Sequence, residues 1–324
     1  MKTKDKLLEL LESQKNEWVS GETIGASLNI SRAAVWKVVM NLRNEGYVID
    51  AVRNKGYRLL EESDIISEIG VLKYLSPECR MLDIHVVPSA ESTNSTLWEK
   101  EKAGVPEGTV FIAGMQTAGR GRLGRRFYSP ADTGVYMSIL FRPRNIKPEN
   151  TVRLTTMAAV AACETFETAS QKNASIKWIN DVFIENKKVC GILTEGSVGM
   201  ETGSLDAVVL GIGINAYEPE KGFPEDLQSV AGAVYDAKCA DGRNILAAGF
   251  LNRLMRYYLS GDYESYVEKY RKRCFVLGKK ISVLSDGVKK TATALDIDEN
   301  CRLIVQYENG VTETLSTGEI SIGL

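Results

Sequence analysis

Eight consecutive residues carry most of the chemistry this chain could perform: Gly119-Arg120-Gly121-Arg122-Leu123-Gly124-Arg125-Arg126. Four arginines among three glycines build neither a helix nor a packed strand. Glycine frees the backbone to wrap a ligand, and guanidinium groups offer fixed forks of donors that match phosphate or carboxylate oxygens. The run reads as a loop around an anion, with a nucleic-acid patch and a solvated surface loop as alternatives. A second cluster, Lys177-Trp178-Ile179-Asn180-Asp181, ends an apolar run. A lysine on a sheet strand is costly unless its ammonium meets an anion, although an edge-strand lysine before an Asn-Asp turn gives the same pattern. In Glu91-Ser92-Thr93-Asn94 a strand passes into a helix. Serine or threonine caps such a helix, and its N-terminus also attracts anions. Gly211-Ile212-Gly213-Ile214-Asn215 closes an apolar strand, but no G-x-G-x-x-G precedes a helix and no Walker A sequence occurs. Any nucleotide is therefore held by something other than a P-loop.

Other chemistries are narrowed by what the 324 residues lack. With one histidine, His85, histidine-pair metal sites are excluded, and no acid or nucleophile stands near it at catalytic spacing. The six cysteines are scattered without a C-x-x-C pair and read as reduced thiols of a cytosolic protein, Cys190 as a buried one. Hydrophobic residues make up 44% and charged ones 25%, as in a globular protein. The first residues, MKTKDKLLELLESQ, mix acids among leucines and form no signal peptide, and no apolar run reaches the roughly 18 residues of a membrane span. The net charge of −2 is uneven: residues 1–60 hold ten Lys and Arg against seven acids, a net +3, which leaves −5 for the rest. A basic module attached to an acidic body follows.

The elements of that module are legible. Leu7, Leu8 and Leu11 share one helical face; Ser20 caps a second helix with Ile24 and Leu28; Asn29-Ile30 turns the chain; Ser31 caps a third helix ending before Gly46. Val35, Val38, Val39 and Leu42 form its buried stripe, and Arg32, Ala33, Trp36, Lys37 and Arg43 its other face. Two short strands then flank Arg53-Asn54-Lys55-Gly56. This is a winged helix-turn-helix. It would lay Ser31, Arg32, Ala33, Trp36 and Lys37 in a major groove and Arg53 and Lys55 on phosphates. Winged helices also serve as protein-interaction modules, and Trp36 reads equally as a packing residue on the wing.

Ser63 or Asp64 can cap a helix carrying Ile65, Ile69, Leu72 and Leu75. From there strand-like runs at 83–87, 109–113, 135–141, 175–178, 182–185, 189–195 and 207–215 alternate with helical patterns at about 150–170, 243–260 and 262–273. They predict a mixed central sheet of six or seven strands. Five short strands follow (281–284, 289–297, 303–307, 311–315, 320–322), separated by turns at Ser285-Asp286-Gly287, Asp298-Glu299-Asn300 and Glu308-Asn309-Gly310. They fit a small SH3-like barrel. Length suggests two domains; the motifs divide the chain into three, residues 1–62, 63–273 and 274–324. The fold class is multidomain α+β.

In order and together, Glu91–Asn94, Gln116-Thr117-Ala118-Gly119-Arg120-Gly121-Arg122, Lys177–Asp181, Gly191-Ile192-Leu193-Thr194-Glu195 and Gly211–Asn215 resemble the bifunctional biotin–protein ligase and biotin operon repressor family over essentially the whole chain. The resemblance implies a catalytic domain like those of class II aminoacyl-tRNA synthetases and biotin and lipoate ligases. It implies two steps: biotin and Mg-ATP give biotinyl-5′-adenylate and pyrophosphate, and a lysine of biotin carboxyl carrier protein then takes the biotin. It implies Ser92, Thr93, Asn94 and Gln116 around biotin's ureido ring, and Arg120, Gly121 and Arg122 in a loop that orders over it. Arg122 and Lys177 would hold the reacting carboxylate and α-phosphate, with Arg125 on the nucleotide phosphates and Asn215 on adenine. No protein metal site is implied beyond the Mg2+ that accompanies ATP. The resemblance further implies operator DNA as a partner, adenylate as corepressor, a homodimer on ligand binding and no membrane. The family's usual proline is Ile179 here, and Ala231 stands where a tryptophan covers adenine. A sensor without catalysis is disfavoured by the complete Arg loop. A lipoate ligase is disfavoured because its Arg-Arg-x-Ser-Gly-Gly-Gly-type run is missing.

Overall fold

The computed structural model describes residues 2–143, 151–199, 205–261, 263–285, 288–316 and 318–322. Asp286 and Gly287 of the first expected C-terminal turn, and positions 150 and 262 where two helices were expected to begin, lie outside them.

The N-terminal module contains α1 (Thr3–Ser13), α2 (Gly21–Leu28), α3 (Arg32–Asn44), β1 (Ile49–Val52) and β2 (Gly56–Leu59). Ser20 and Ser31 accept from Thr23 N at 3.0 Å and Ala34 N at 3.2 Å, so both caps stand where expected, each contributing about 1 kcal/mol. Asn29 ends α2 with φ of 51°, and Asn54 and Gly56 take positive φ in the wing turn. Leu7, Leu11, Ile24, Val35, Val39, Leu42 and Leu59 close a separate small core.

α4 (Glu68–Leu72) joins this module to the body. Its cap is Ser67, whose Oγ accepts from Gly70 N, rather than Ser63 or Asp64. Asp64 is instead drawn into the body: it is buried, accepts from Arg243 and from Tyr217 Oη at 2.7 Å, and so cannot serve the helix end.

The body is built on β3 (Asp83–Val87), α5 (Thr93–Lys102), β4 (Thr109–Ala113), β5 (Gly134–Phe141), α6 (Thr151–Ser170), β6 (Ala174–Lys177), β7 (Asp181–Ile184), β8 (Lys187–Val198), β9 (Leu205–Asn215), α7 (Gly242–Ser260) and α8 (Tyr263–Arg273). Seven strands run in the order β3-β4-β5-β9-β8-β7-β6, parallel only between β3 and β4. Strand alternation then sorts the side chains. Val208, Leu210, Ile212 and Ile214 of β9, with Ile176, Cys190 and Ile192, enter the main core with α6 and α7. Ala207 and Val209 face the opposite side and pack with Leu97 of α5. Continuing along that second face, β9 offers Gly211 and Gly213 before it ends at Asn215.

The C-terminal strands are β10 (Lys280–Ser285), β11 (Val288–Ile297), β12 (Leu303–Tyr307), β13 (Thr312–Leu315) and β14 (Glu319–Ile322), in the order β13-β12-β11-β10-β14. All pairings are antiparallel. Among the described residues β13 and β14 do not pair, so the SH3-like unit is an open sheet and not a closed barrel. Its Ile281, Val283, Ile297 and Val305 belong to the same core as the seven-stranded sheet.

Between winged helix and body, Asp241 accepts from Lys15, from Lys73 Nζ at 3.1 Å and from Tyr74 Oη at 2.7 Å. Burial pushes the Asp241 carboxyl up, but the bonds from Lys15 and Tyr74 outweigh it and hold it below 3.8. A depressed carboxyl contributes stability that is present above its ordinary value and lost as pH falls through the folded one. Calorimetry should therefore show the winged helix melting separately, and earlier, once pH drops below that range. Asp241→Asn should remove this acid dependence.

Candidate active site and nucleic-acid interface

The second face of the sheet becomes a site because its middle has no side chains. A Cβ on Gly211 would run into Asn94 Oδ1, and one on Gly213 into the ring of Phe127; on Gly191 it would stand 3.3 Å from the same ring. These three glycines floor a cavity of about 150 Å³. Ser92, Thr93 and Asn94 close one end, Gln116 and the Arg loop form the roof, and Lys177, Asn180, Asp181 and Lys188 the far wall, with Gly318 and Ile320 of the C-terminal sheet at its rim.

Each wall follows from its element. Ser92 is the N-cap of α5 yet makes no capping bond with its side chain. Thr93 N donates to Gln116 Oε1 at 2.9 Å, and Gln116 Nε2 donates to Ser129 Oγ at 2.9 Å. Asn94 Nδ2 donates to Glu195 Oε2 at 2.8 Å, while Glu195 Oε1 pairs with Arg120 at 3.0 Å. The Arg loop folds on itself through Gly121 N to Arg125 O and Phe127 N to Gly119 O. Its tip, Leu123, has φ of 55° and is 71% exposed. Arg122 donates to Asn180 Oδ1 at 3.2 Å and to Gly318 O at 2.9 Å, joining the loop to the lysine motif and the C-terminal sheet.

Lys177 alternates with buried Ile176 on β6 and so projects from the site face. Its neighbour Lys188 pairs with Asp181 at 2.7 Å, whereas the Lys177 ammonium makes no hydrogen bond or ion pair with any described residue. The peptide between Trp178 and Ile179 is cis, and Trp178 Nε1 donates to Cys301 O.

Of the residues singled out from sequence, Ser92, Thr93, Asn94, Gln116, Arg120, Gly121, Arg122, Arg125 and Lys177 all line this one cavity. Asn215 does not: it stands just beyond the glycine floor, and its amide donates to Gly232 O. Ala231 bridges to Lys188 on the same side. His85 pairs with Asp83 on the edge strand, away from the cavity. Burial pushes the Cys190 thiol far up, which leaves no thiolate nucleophile beneath the floor. Among the described residues no group of three His, Cys, Asp or Glu side chains that could hold a metal ion occurs. Sequence reasoning missed Phe127, Gly318 and Ile320. For Phe127 the signal was the glycine pair two apart on β9, which needs something to cover it.

On the winged helix, Ser31, Arg32, Ala33, Trp36, Lys37, Arg53 and Lys55 share the exposed surface of α3 and the wing. Trp36 is 58% exposed. Arg43 leaves this face, because its guanidinium turns in to donate to Ile49 O. Trp18, unread from sequence, lies under the wing, with Arg58 Cζ 4.7 Å and Lys55 Nζ 5.7 Å from its ring centre. No helix among the described residues is long and apolar enough to cross a membrane.

A mixed seven-stranded sheet with a glycine-floored cavity lined by arginines and a lysine, behind a winged helix and before a small β-sheet, defines a class of protein ligase joined to a DNA-binding module. The biotin/lipoate A/B protein ligase family model matches residues 86–215, an HTH domain model residues 3–58, and a biotin protein ligase C-terminal domain model residues 276–323. The chain belongs to the biotin/lipoate A/B protein ligase family. The bifunctional ligase/repressor BirA of Bacillus subtilis is 33% identical over 324 residues, covering 98% of each chain. BirA of Escherichia coli is 26% identical over 321 residues, 98% of this chain and 96% of that one. The biotin protein ligase of Aquifex aeolicus, solved in complex with biotin and ATP, superposes with a TM-score of 0.61 at 27% identity, over 74% of this chain and 98% of that one.

Proposed function

We propose that this protein is an ATP-dependent, AMP-forming biotin–protein ligase that is also a DNA-binding repressor of biotin genes. The observation that carries the ligase half is Lys177. It is a lysine without an anionic partner among the described residues, in a cavity it shares with Arg122 and with the uncharged hydrogen-bonding groups Ser92, Thr93, Asn94 and Gln116. Such a site suits a neutral cyclic urea at one end and two mutually repelling anions at the other.

In the first step a biotin carboxylate oxygen bonds to the α-phosphorus of ATP and pyrophosphate leaves. Lys177 and Arg122 offset the repulsion between the two anions and the charge that builds on the pentavalent centre, and Arg125 meets the nucleotide phosphates. Mg2+ enters with ATP and supplies further charge neutralisation. In the second step a lysine amine of biotin carboxyl carrier protein attacks the acyl carbon, the amide forms, AMP leaves with the bonding pair, and the proton lost by the amine passes to the departing phosphate. The attacking nucleophile comes from the partner protein, in keeping with the single histidine and with the burial of five of the six cysteines. Ser92, Thr93, Asn94 and Gln116 hold the ureido ring, Arg120 and Gly121 close over it, and Asn215 meets adenine from the outer edge. Three functional units at 1–62, 63–273 and 274–324 divide this work.

The test is ³²P-pyrophosphate exchange into ATP with biotin and with lipoate, followed by transfer to a carrier domain. Exchange with biotin alone is expected. Exchange with lipoate alone, or with neither, would overturn the reading.

For the repressor half, we infer that biotinyl-adenylate promotes a homodimer in the cytosol that sets two winged helices on a two-fold operator. Footprinting should show operator affinity rising with biotin plus ATP, and equal affinity without them would sink it. Lys55→Ala should weaken binding evenly across sequences and reduce the slope of log affinity against log salt by about 0.9, the value for one lost phosphate contact. An unchanged slope in filter-binding titrations would remove Lys55 from the interface.

A further inference from the structure

We propose that Glu195 is a positioning residue that sets the direction of the hydrogen bonds at the uncharged end of the cavity, so that Thr93 presents an acceptor to a ligand N–H. This rests on the ligase reading above and names the group that gives the ureido subsite its polarity.

Glu195 does not line the cavity; Leu193, two residues earlier on the same face of β8, does. An ionised carboxylate only accepts. Asn94 must therefore turn its amino group to Glu195, at 2.8 Å, and its second amide hydrogen points at Leu193 O, at 3.3 Å. Asn94 Oδ1 then faces Ser138, whose Oγ lies 2.6 Å away. A carbonyl oxygen carries no proton, so Ser138 must supply the one in this bond. The same Ser138 Oγ is 2.7 Å from Thr93 Oγ1. Ser138 has a single proton, already committed to Asn94, so Thr93 donates here. The order is Thr93 to Ser138 to Asn94 to Glu195, every hydrogen directed inward to the carboxylate.

The cavity-facing consequence is specific. Thr93 Oγ1 lies 3.2 Å from Gln116 Oε1 but has no proton left for it, and that oxygen already accepts from Thr93 N. Thr93 Oγ1 keeps its free lone pairs. A cyclic urea offers two N–H groups and one carbonyl, and an acceptor held in this polarity takes an N–H and rejects a carbonyl. Hydroxyl groups adapt to either partner in water; here the adaptation is removed by a charge three residues along the chain of bonds.

Glu195→Gln keeps the shape and removes the charge. The introduced amide can present N–H to Asn94, which lets Asn94 turn over and the chain reverse. The expected result is a KM for biotin raised at least about tenfold with KM for ATP within about twofold. The ratio of biotin to biotin methylated at either ureido nitrogen should shrink by a similar factor, since the variant no longer selects for the N–H. A purely structural role would raise both ligands' KM together. Because Glu195 also pairs with Arg120, the substitution is repeated in an Arg120→Ala background. An effect that vanishes there would mean that Glu195 acts through Arg120, and would overturn the inference. If Glu195→Gln lowers the melting temperature, Ser138→Ala cuts the same chain at a buried methyl-sized change and should relax the same ratio. Biotin KM and selectivity at wild-type levels in a folded variant would overturn this inference alone. A wild-type chain without biotin-dependent exchange would overturn the ligase reading, and this one with it.

Discussion

Lys177→Met is expected to slow biotin-dependent pyrophosphate exchange by on the order of 10³-fold, the range in which a preorganised donor to a developing oxyanion acts. It should do so without lowering thermal stability. Both halves of the expectation come from one fact: the ammonium is half-buried on a strand and paired with no described residue. A charge in that position is a cost in the free protein and a gain only when an anion arrives. Removing it therefore relieves the fold and disables the complex. Lys177→Arg should not restore the rate, because a broad planar guanidinium cannot take the place of a compact ammonium in so small a cavity. Transfer from chemically prepared biotinyl-adenylate should suffer too, since the departing AMP oxygen is on the same phosphate. Exchange within about threefold of wild type would show that Lys177 is an ordinary edge-strand lysine.

Where local pattern decides, the sequence reading and the structure agree closely. β3, β4 and β12 begin and end where their apolar runs do, and Ser20 and Ser31 cap the helices they were expected to cap. The site residues were legible as letters because glycine, arginine and lysine are costly in a packed sheet without a reason. What failed was decided by contacts outside each element's own pattern. Ser63, Asp64 and Ser67 are equally good caps by type, and only Arg243, far along the chain, takes Asp64 away. Arg43 sits on the outward side of its helix by periodicity, yet Ile49 O offers an acceptor within reach of its long stem. Gly318 joins the cavity only because the C-terminal sheet shares the body's core, which no local pattern shows. By packed core the described residues fall into two main units. The winged helix has its own core and a seal of charges, whereas the C-terminal sheet is continuous with the ligase body.

That continuity bears on the second large effect. Arg122→Gly should leave the winged helix and the seven-stranded sheet in place and form biotinyl-adenylate more slowly, and it should release what it forms into solution. The Arg122 side chain is the strut between three parts of the site: the loop that carries it, Asn180 of the lysine motif and Gly318 of the C-terminal sheet. Glycine removes both bonds and the guanidinium, and adds backbone freedom to a loop that already contains Gly121 and Gly124. A mixed anhydride survives only while water is kept from its carbonyl, so a loop that no longer closes loses the intermediate by escape and by hydrolysis. Arg122→Lys separates charge from strut: it keeps a cation near the phosphate but cannot reach two acceptors at once. It should form adenylate faster than the glycine variant and still retain it poorly. The measurement is rapid gel filtration after incubation with labelled biotin and ATP, comparing protein-bound with free adenylate. Full retention by Arg122→Gly would mean that closure depends on Arg120 and its bond to Glu195 instead, and would move the lid from the middle of the loop to its base.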